Sequence, residues 1–185
     1  MAAVAESIEE SGRRIGHHAW IEMRLFETVG GWVASVPELE AKPVLAAQSH
    51  HHAWHAELWH GLLPSLPGVR TADLIAPADD AAQTLVDALA APPGEGGTVD
   101  RLVGLYRVTL PALVATYTDH LDRTSPVADG PTIRALRLVL ADEEDDRRAG
   151  DALLDALLAG PDEHARADAR EAELRAFVGL GPSSG

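Results

Sequence analysis

Histidine is concentrated in one short stretch of this 185-residue chain. Five of its nine histidines fall within residues 48–60, and two more, His17 and His18, precede that stretch. Histidine is the commonest metal ligand and the only side chain whose unperturbed pKa lies between pH 5 and 8. A helix this rich in histidine therefore points to a metal site, although histidines adjacent in sequence cannot all face inward.

Two glutamates occupy positions where a helix normally presents an apolar side chain. Glu22 lies in the stripe of the first predicted helix, and Glu143 lies in that of the fourth. Burying an ionised carboxylate costs several kcal/mol unless it is paired or bound to a metal. Besides a metal, two pairings stay open: Glu22 with His18 or an arginine, and Glu143 with Arg147 one turn later.

The candidate ligands are expected at one level of a helical bundle. Glu22 and the region of His51 to His55 lie at similar distances from the turn that joins the first two helices. His51 and His55 are four residues apart and share a helix face, so both can reach one ion. The candidate metal ligands are Glu22, His51, His52, His55, Glu143 and Asp146.

Apolar residues repeat every three or four positions along most of the chain, which predicts amphipathic helices. The first stripe is Ile15, His18, Glu22, Leu25, Val29, Trp32 and Val36. The four long helices are predicted at about residues 6–36, from 38 or 43 to 63, 99–123 and from the 125–131 turn to 159. Pro111 should kink the third of them. No strand pattern is present, so the predicted class is all-α.

The lengths of the connections predict how these helices pair. Short turns join helices 1 and 2 and helices 3 and 4, so each pair should form an antiparallel hairpin. The intervening segment 64–98 holds a short helix after Asp79 and Asp80 and is long enough to return along the bundle. A last helix is expected at about 162–178. We expect one domain over residues 1–179 and a disordered tail at 180–185.

With these ligands and connections, the chain resembles the ferritin-like superfamily, which includes di-iron oxidases and hydroxylases, over about residues 15–158. In that family helices 1 and 3 each give a Glu, and helices 2 and 4 each give a Glu-x-x-His motif. Glu22 matches the first ligand. Helix 2 reads Gln48-Ser-His-His51 at its middle and Glu57-Leu-Trp-His60 near its end, and helix 4 reads Glu143-Glu-Asp-Asp146. Helix 3 has no acidic residue near its centre.

The resemblance implies a ferritin-like four-helix bundle that binds iron or manganese and acts as an oxidase or hydroxylase on a small molecule. Because several family ligands are altered, a single metal held by His51 and His55 with Glu22 or Glu143 is one alternative. A non-catalytic bundle that associates with itself or a partner is another. A third is a hydrolase or transferase bundle of the DinB kind, using His18, His51 and His55.

Composition excludes several other functions. The formal net charge of −14 argues against binding nucleic acid or an anionic membrane. The absence of cysteine excludes disulfides, thiolate zinc sites and cysteine nucleophiles. No secretory signal or membrane-spanning segment is evident. We therefore expect a cytoplasmic protein. A small-molecule substrate and association into a homodimer are separate expectations.

Overall fold

The computed structural model describes residues 7–92, 97–127 and 129–178, and the regular structure in these ranges is entirely helical. The α-helices are α1 (Ile8–Ser35), α2 (Ala41–Leu62), α3 (Asp80–Ala90), α4 (Thr98–Leu102), α5 (Leu110–Arg123), α6 (Gly130–Leu157) and α7 (Pro161–Val178). A 3₁₀ turn covers Thr71–Leu74, and a π-helical stretch covers Val103–Thr109. The all-α prediction is confirmed, and the predicted tail at 180–185 lies outside the described residues.

Side-chain caps fix the starts of two helices. Ser7 and Glu10 form a reciprocal capping box at the start of α1, in which the Ser7 hydroxyl accepts from the Glu10 amide at 3.2 Å. At α3, the Asp79 carboxylate accepts from the Ala82 amide at 2.8 Å. The short helix predicted after Asp79 and Asp80 is therefore present and begins where its cap requires.

α1 and α2 form the antiparallel hairpin that the short 36–40 turn predicts. Near the turn, the Lys42 ammonium donates to the Val33 carbonyl at 2.7 Å. Farther along, the Ser49 hydroxyl donates to the Phe26 carbonyl at 3.1 Å. Residue numbers fall along α1 as they rise along α2, so residue 22 reaches the level of residue 52.

The other long helices complete a ring in which neighbours run antiparallel. α6 runs against α2, because the Gln48 amide donates to the Asp146 carbonyl at 3.0 Å and His55 meets Asp142 at 3.1 Å. α5 runs against α1, where His18 and His120 share a hydrogen bond of 2.9 Å. α2 and α5 therefore run parallel, and the segment between them must return along the bundle.

That returning segment, together with α7, covers the sides of α1 and of the π-helical stretch Val103–Thr109. α3 contacts α1 and α7. An Arg170 nitrogen donates to the Ala88 carbonyl at 2.9 Å, which ties α7 to the end of α3. A small apolar cluster between these helices includes Leu85, Val108 and Leu174.

The third predicted helix is interrupted just before Pro111. The structure replaces the single helix at 99–123 with α4, the π-helical stretch and α5. Proline has no amide hydrogen, so the Arg107 carbonyl one turn earlier loses its usual α-helical partner. An Arg175 nitrogen of α7 donates to that carbonyl at 3.1 Å. The predicted disturbance is thus present as a change of helix type, which a neighbouring helix stabilises.

Trp59, Tyr106 and Tyr117 are the largest completely buried side chains.

None of the helices in the described ranges combines the length and apolar character that crossing a membrane requires.

A pair of glycines on α1 tests the packing of the 3₁₀ turn. A β-carbon added at Gly16 would lie 1.9 Å from the Leu74 carbonyl oxygen, whereas one added at Gly31 would meet nothing within 4 Å. Gly16→Ala should therefore lower the free energy of unfolding by about 1–3 kcal/mol. Gly31→Ala should raise it by up to about 1 kcal/mol, because alanine favours helix. Urea unfolding measures both, and equal stabilisation would contradict the close approach of the turn.

Candidate metal centre

Three helices bring two glutamates and two histidines together inside the bundle. α1 contributes Glu22, α2 contributes His52 and His55, and α6 contributes Glu143. Each offers one ligand atom, and these atoms all lie within 4.8 Å of one another. All four side chains are completely buried. We call these four residues the Glu–His group.

Helix geometry explains why these residues face inward. His52 and His55 are three residues apart, so they lie on one face of α2. Leu45 and Trp59 lie on the same face and are also completely buried. Glu143 stands four residues after the buried Val139 on α6. The apolar periodicity that buries each helix therefore buries these four polar side chains with it.

The four side chains lie close together, but only the contact between His52 and Glu22 is a hydrogen bond within the group. His52 Nδ1 lies 2.7 Å from Glu22 Oε2 and 3.4 Å from Glu143 Oε1. His55 Nδ1 lies 3.5 Å from Glu22 Oε1 and 3.4 Å from Glu143 Oε1. Both histidines thus direct the same ring nitrogen, Nδ1, toward the two carboxylates.

Several of these buried polar atoms have no hydrogen-bond partner. They are His52 Nε2, His55 Nδ1 and both carboxylate oxygens of Glu143. A buried polar group without a partner costs about 1–3 kcal/mol, and more if it is charged. Two of these atoms, His55 Nδ1 and Glu143 Oε1, lie 3.4 Å apart where the group converges. A cation bound there would coordinate them, so the residues present fit a metal ion.

The spacing of the group suits one ion. Metal–ligand distances of about 2.0–2.2 Å place two ligands of the same ion at most about 4.4 Å apart. The observed limit of 4.8 Å exceeds that by a few tenths of an ångström. Small side-chain rotations would therefore close the group around one ion. Imidazole and carboxylate together suit iron, manganese, zinc or cobalt.

The two carboxylates are held in different electrostatic states. Burial alone would raise the pKa of Glu22, but the hydrogen bond from His52, the close approach of His55 and the positive charges of both histidines outweigh it and lower that pKa to about 2. Burial raises the pKa of Glu143, because it outweighs the attraction of the same two histidines. Glu22 is therefore the firmly ionised member of the group.

The histidines carry the compensating positive charge. Burial would lower the pKa of His52, but Glu143 and Glu22 raise it. The same two carboxylates overcome burial at His55 and raise its pKa to about 11. Two protonated histidines balance two carboxylates, and one divalent ion held by the neutral histidines gives the same balance.

Two further side chains hold the group from outside. The Asp142 carboxylate contacts His55 Nε2 at 3.1 Å, which leaves His55 Nδ1 directed at the glutamates. The Tyr117 hydroxyl of α5 donates to Glu22 Oε1. A carboxylate behind a ligand histidine fixes the tautomer and orientation of its ring. These contacts hold the group in position before any ion binds.

The structure brings together four of the six residues predicted as metal ligands. The other two, His51 and Asp146, pair with each other at 2.8 Å beside the group. The histidine pair is thus His52 and His55, three residues apart, rather than the expected His51 and His55. In sequence, Gln48–His51 resembles the Glu-x-x-His motif of the ferritin-like superfamily. The two histidines that face the group instead read His52-Ala-Trp-His55, one turn after Gln48.

The alternative pairings predicted from sequence are not the ones formed. Arg147 lies between Glu144 and Asp151, at 2.8 Å from each, instead of binding Glu143. His18 bonds His120 and is not part of the group, so the set His18, His51 and His55 is not assembled.

Sequence reasoning missed the roles of Asp142 and Tyr117. Asp142 belongs to an acidic run that resembles a solvated face, and no local pattern distinguishes it. Tyr117 does carry a signal, because the spacing Leu110, Leu113, Tyr117, His120 marks one helix face. All four are buried, whereas Thr116 beside Tyr117 is exposed.

No known protein family matches this sequence, and no curated protein or solved structure is significantly similar to it.

Substitution of Asp142 tests the support of His55. Asp142→Asn keeps the shape but removes the charge behind the ring, so metal affinity should fall by about 10–100-fold. Asp145→Asn is the matched control, because Asp145 is exposed on the same helix. Competition titration with a chromophoric chelator measures both affinities. Equal affinities in the two variants would contradict a role for Asp142.

The metal-free protein should become less stable as the pH rises from about 7 to about 9. The pKa of His52 and of His55 is raised in the folded chain. The unfolded chain has already lost these protons, so each proton retained costs about 1.4 kcal/mol per pH unit. Zinc should abolish this trend by displacing the protons. Urea unfolding with chelator or zinc measures it, and constant stability with chelator would count against charged histidines.

Proposed function

We propose that the Glu–His group binds one transition-metal ion and that the protein is an iron- or manganese-dependent oxidase or hydroxylase. The observation that carries the proposal is the pair of unpartnered atoms at the centre of the group, namely His55 Nδ1 and Glu143 Oε1. Two histidines with one carboxylate and open positions form the ligand set of non-haem iron oxygenases. The second carboxylate completes the charge balance.

The helix arrangement supports a ferritin-like interpretation. Antiparallel neighbours with one long crossover between two parallel helices are the connectivity of that fold. The antiparallel contacts of α1 with α2 and of α2 with α6, together with the long segment between α2 and α5, support this interpretation. The ligand set is smaller than in a di-iron protein, because α5 offers Tyr117 where a glutamate is expected. One ion rather than two follows from this substitution.

Iron or manganese, when bound, supplies redox chemistry toward dioxygen. The residues of this chain would position the ion: Asp142 orients the His55 ring, and Tyr117 donates a hydrogen bond to Glu22. The two glutamates would balance its charge. The burial of the group excludes water, which strengthens the electrostatic interactions there.

In the oxidase reaction, the substrate gives two electrons and two protons to dioxygen and hydrogen peroxide forms. In the hydroxylase reaction, one oxygen atom of dioxygen would be inserted into a C–H bond of the substrate and the other would leave as water, with two electrons and two protons supplied by a reductant such as a reduced flavin.

Metal content tests the binding step. Purified protein supplemented with iron, manganese or zinc should retain about one ion per chain by elemental analysis, because the group accommodates one. Glu143→Gln and His52→Gln should each reduce retention at least tenfold. His51→Gln is the matched control, since His51 is the neighbouring histidine and lies outside the group. Less than about 0.1 ion per chain in the wild-type protein would overturn the proposal.

Reactivity with dioxygen tests the chemistry. Protein is loaded with Fe²⁺ under anaerobic conditions and then mixed with dioxygen. It should consume dioxygen faster than free Fe²⁺ in the same buffer, and the Glu143→Gln variant should not. Zinc-loaded protein controls for uptake that does not depend on redox chemistry. Bound iron that is inert to dioxygen would leave a metal-binding bundle without oxidase activity and would refute the redox assignment. Self-association unaffected by metal would then favour the non-catalytic alternative.

A further inference from the structure

A largely apolar cavity of about 210 Å³ lies beside the metal centre, between α1, α3, α5 and the end of α7. Its floor is made by buried residues that include His18, Leu85, Thr109 and Leu113. Its mouth is rimmed by the exposed residues Thr116 and Val178. The cavity therefore reaches from the surface to the layer of side chains that encloses the Glu–His group.

Several polar side chains of this cavity already form hydrogen bonds within the protein. His17 Nδ1 contacts the Ala76 carbonyl at 2.8 Å, and His18 Nε2 contacts His120 at 2.9 Å. Thr109 and Thr116 donate to carbonyls of their own helices, at 2.8 and 2.9 Å. Asp79 accepts from a backbone amide as the cap of α3.

A charged or strongly polar ligand would lose its hydration in this cavity without regaining equivalent hydrogen bonds. Such a loss is unfavourable. An apolar ligand would instead gain contact with the aliphatic and aromatic walls. The lining therefore selects an apolar ligand.

The size and walls of the cavity favour an aromatic ring. A dry apolar cavity of about 150 Å³ holds benzene, so this larger cavity has room for a fused two-ring molecule. The rings of His17, His18, Trp20 and Phe177 contribute to its walls. Aromatic rings pack favourably face to edge or offset against one another. An aromatic ligand therefore uses these walls better than an alkyl chain of equal volume.

One layer of rings separates the cavity from the metal centre. The centre of the His18 ring lies 4.7 Å from that of Tyr117, whose hydroxyl donates to Glu22. His18 also precedes Glu22 by one turn of α1, a rise of about 6 Å. A ligand in the cavity would therefore contact His18. The His18 ring packs against Tyr117, and the Tyr117 hydroxyl is hydrogen-bonded to Glu22.

We propose that this cavity binds a small apolar aromatic molecule, about the size of indole, against the ring layer that is hydrogen-bonded to Glu22. Occupancy of the cavity does not depend on the proposed oxidase or hydroxylase function, because none of its lining residues belongs to the Glu–His group.

Calorimetry on the metal-free protein tests occupancy alone. Indole should bind, and purine, which has the same fused-ring shape but polar ring nitrogens, should bind at least tenfold more weakly. Ala112→Phe fills the cavity and should weaken indole binding at least tenfold, and Ala82→Leu, which fills it from α3, is a second variant. Ala115→Phe is the matched control, because Ala115 is exposed on the same helix as Ala112.

Absence of indole binding up to its solubility limit would overturn the proposal, as would equal affinity for purine or equal weakening by Ala115→Phe. Thermal melting checks that each variant is folded before its binding is interpreted.

Cobalt-loaded protein tests the link to the metal centre. Indole should change the visible spectrum of bound Co²⁺ in the wild-type protein and leave it unchanged in Ala112→Phe. A cobalt spectrum that bound indole leaves unchanged would overturn the link between the cavity and the metal centre. Failure to retain cobalt would instead count against the proposed metal centre, and the calorimetric result would still decide whether the cavity takes an aromatic ligand.

Discussion

The burial of two carboxylates in one place is the constraint on which the rest of the structure depends. Glu22 and Glu143 are completely buried, and among the described residues no arginine or lysine contacts either of them. The positive charge that makes their burial possible must therefore come from His52 and His55 or from a cation. Both solutions use the same atoms, so the fold already presents the side chains that would hold a cation.

This constraint explains why the site lies where rigid elements meet. The 36–40 turn fixes the register of α1 against α2 and brings residue 22 to the level of residue 52. Glu143 reaches that level only because α6 runs antiparallel to α2. Helices fix the direction of their side chains more closely than loops do. Asp142 then holds the His55 ring from behind, so little freedom remains for the ligand atoms.

The sequence predicts the helices and the level of the site better than the detailed ligand set. Periodicity places Glu22 and Glu143 correctly, because a carboxylate in an apolar stripe is visible in the sequence alone. Periodicity does not show whether His51 or His52 faces inward, because successive residues point about 100° apart around the helix axis and the sequence does not fix the rotation of α2 about that axis. Packing against α1 and α6 decides that rotation. The pairing of Asp146 with His51 follows from the same rotation.

Tyr117 shows how an ionic centre and an apolar cavity can lie next to each other. Burial, together with Glu22 and Glu143, holds the pKa of its phenol well above the usual range. The hydroxyl therefore stays protonated and donates to Glu22, while the ring packs against His18 and Trp59. A carboxylate at this position would face His18 and the cavity with a second charge. Tyrosine instead completes the hydrogen bonding of Glu22 on one side and continues the aromatic wall on the other.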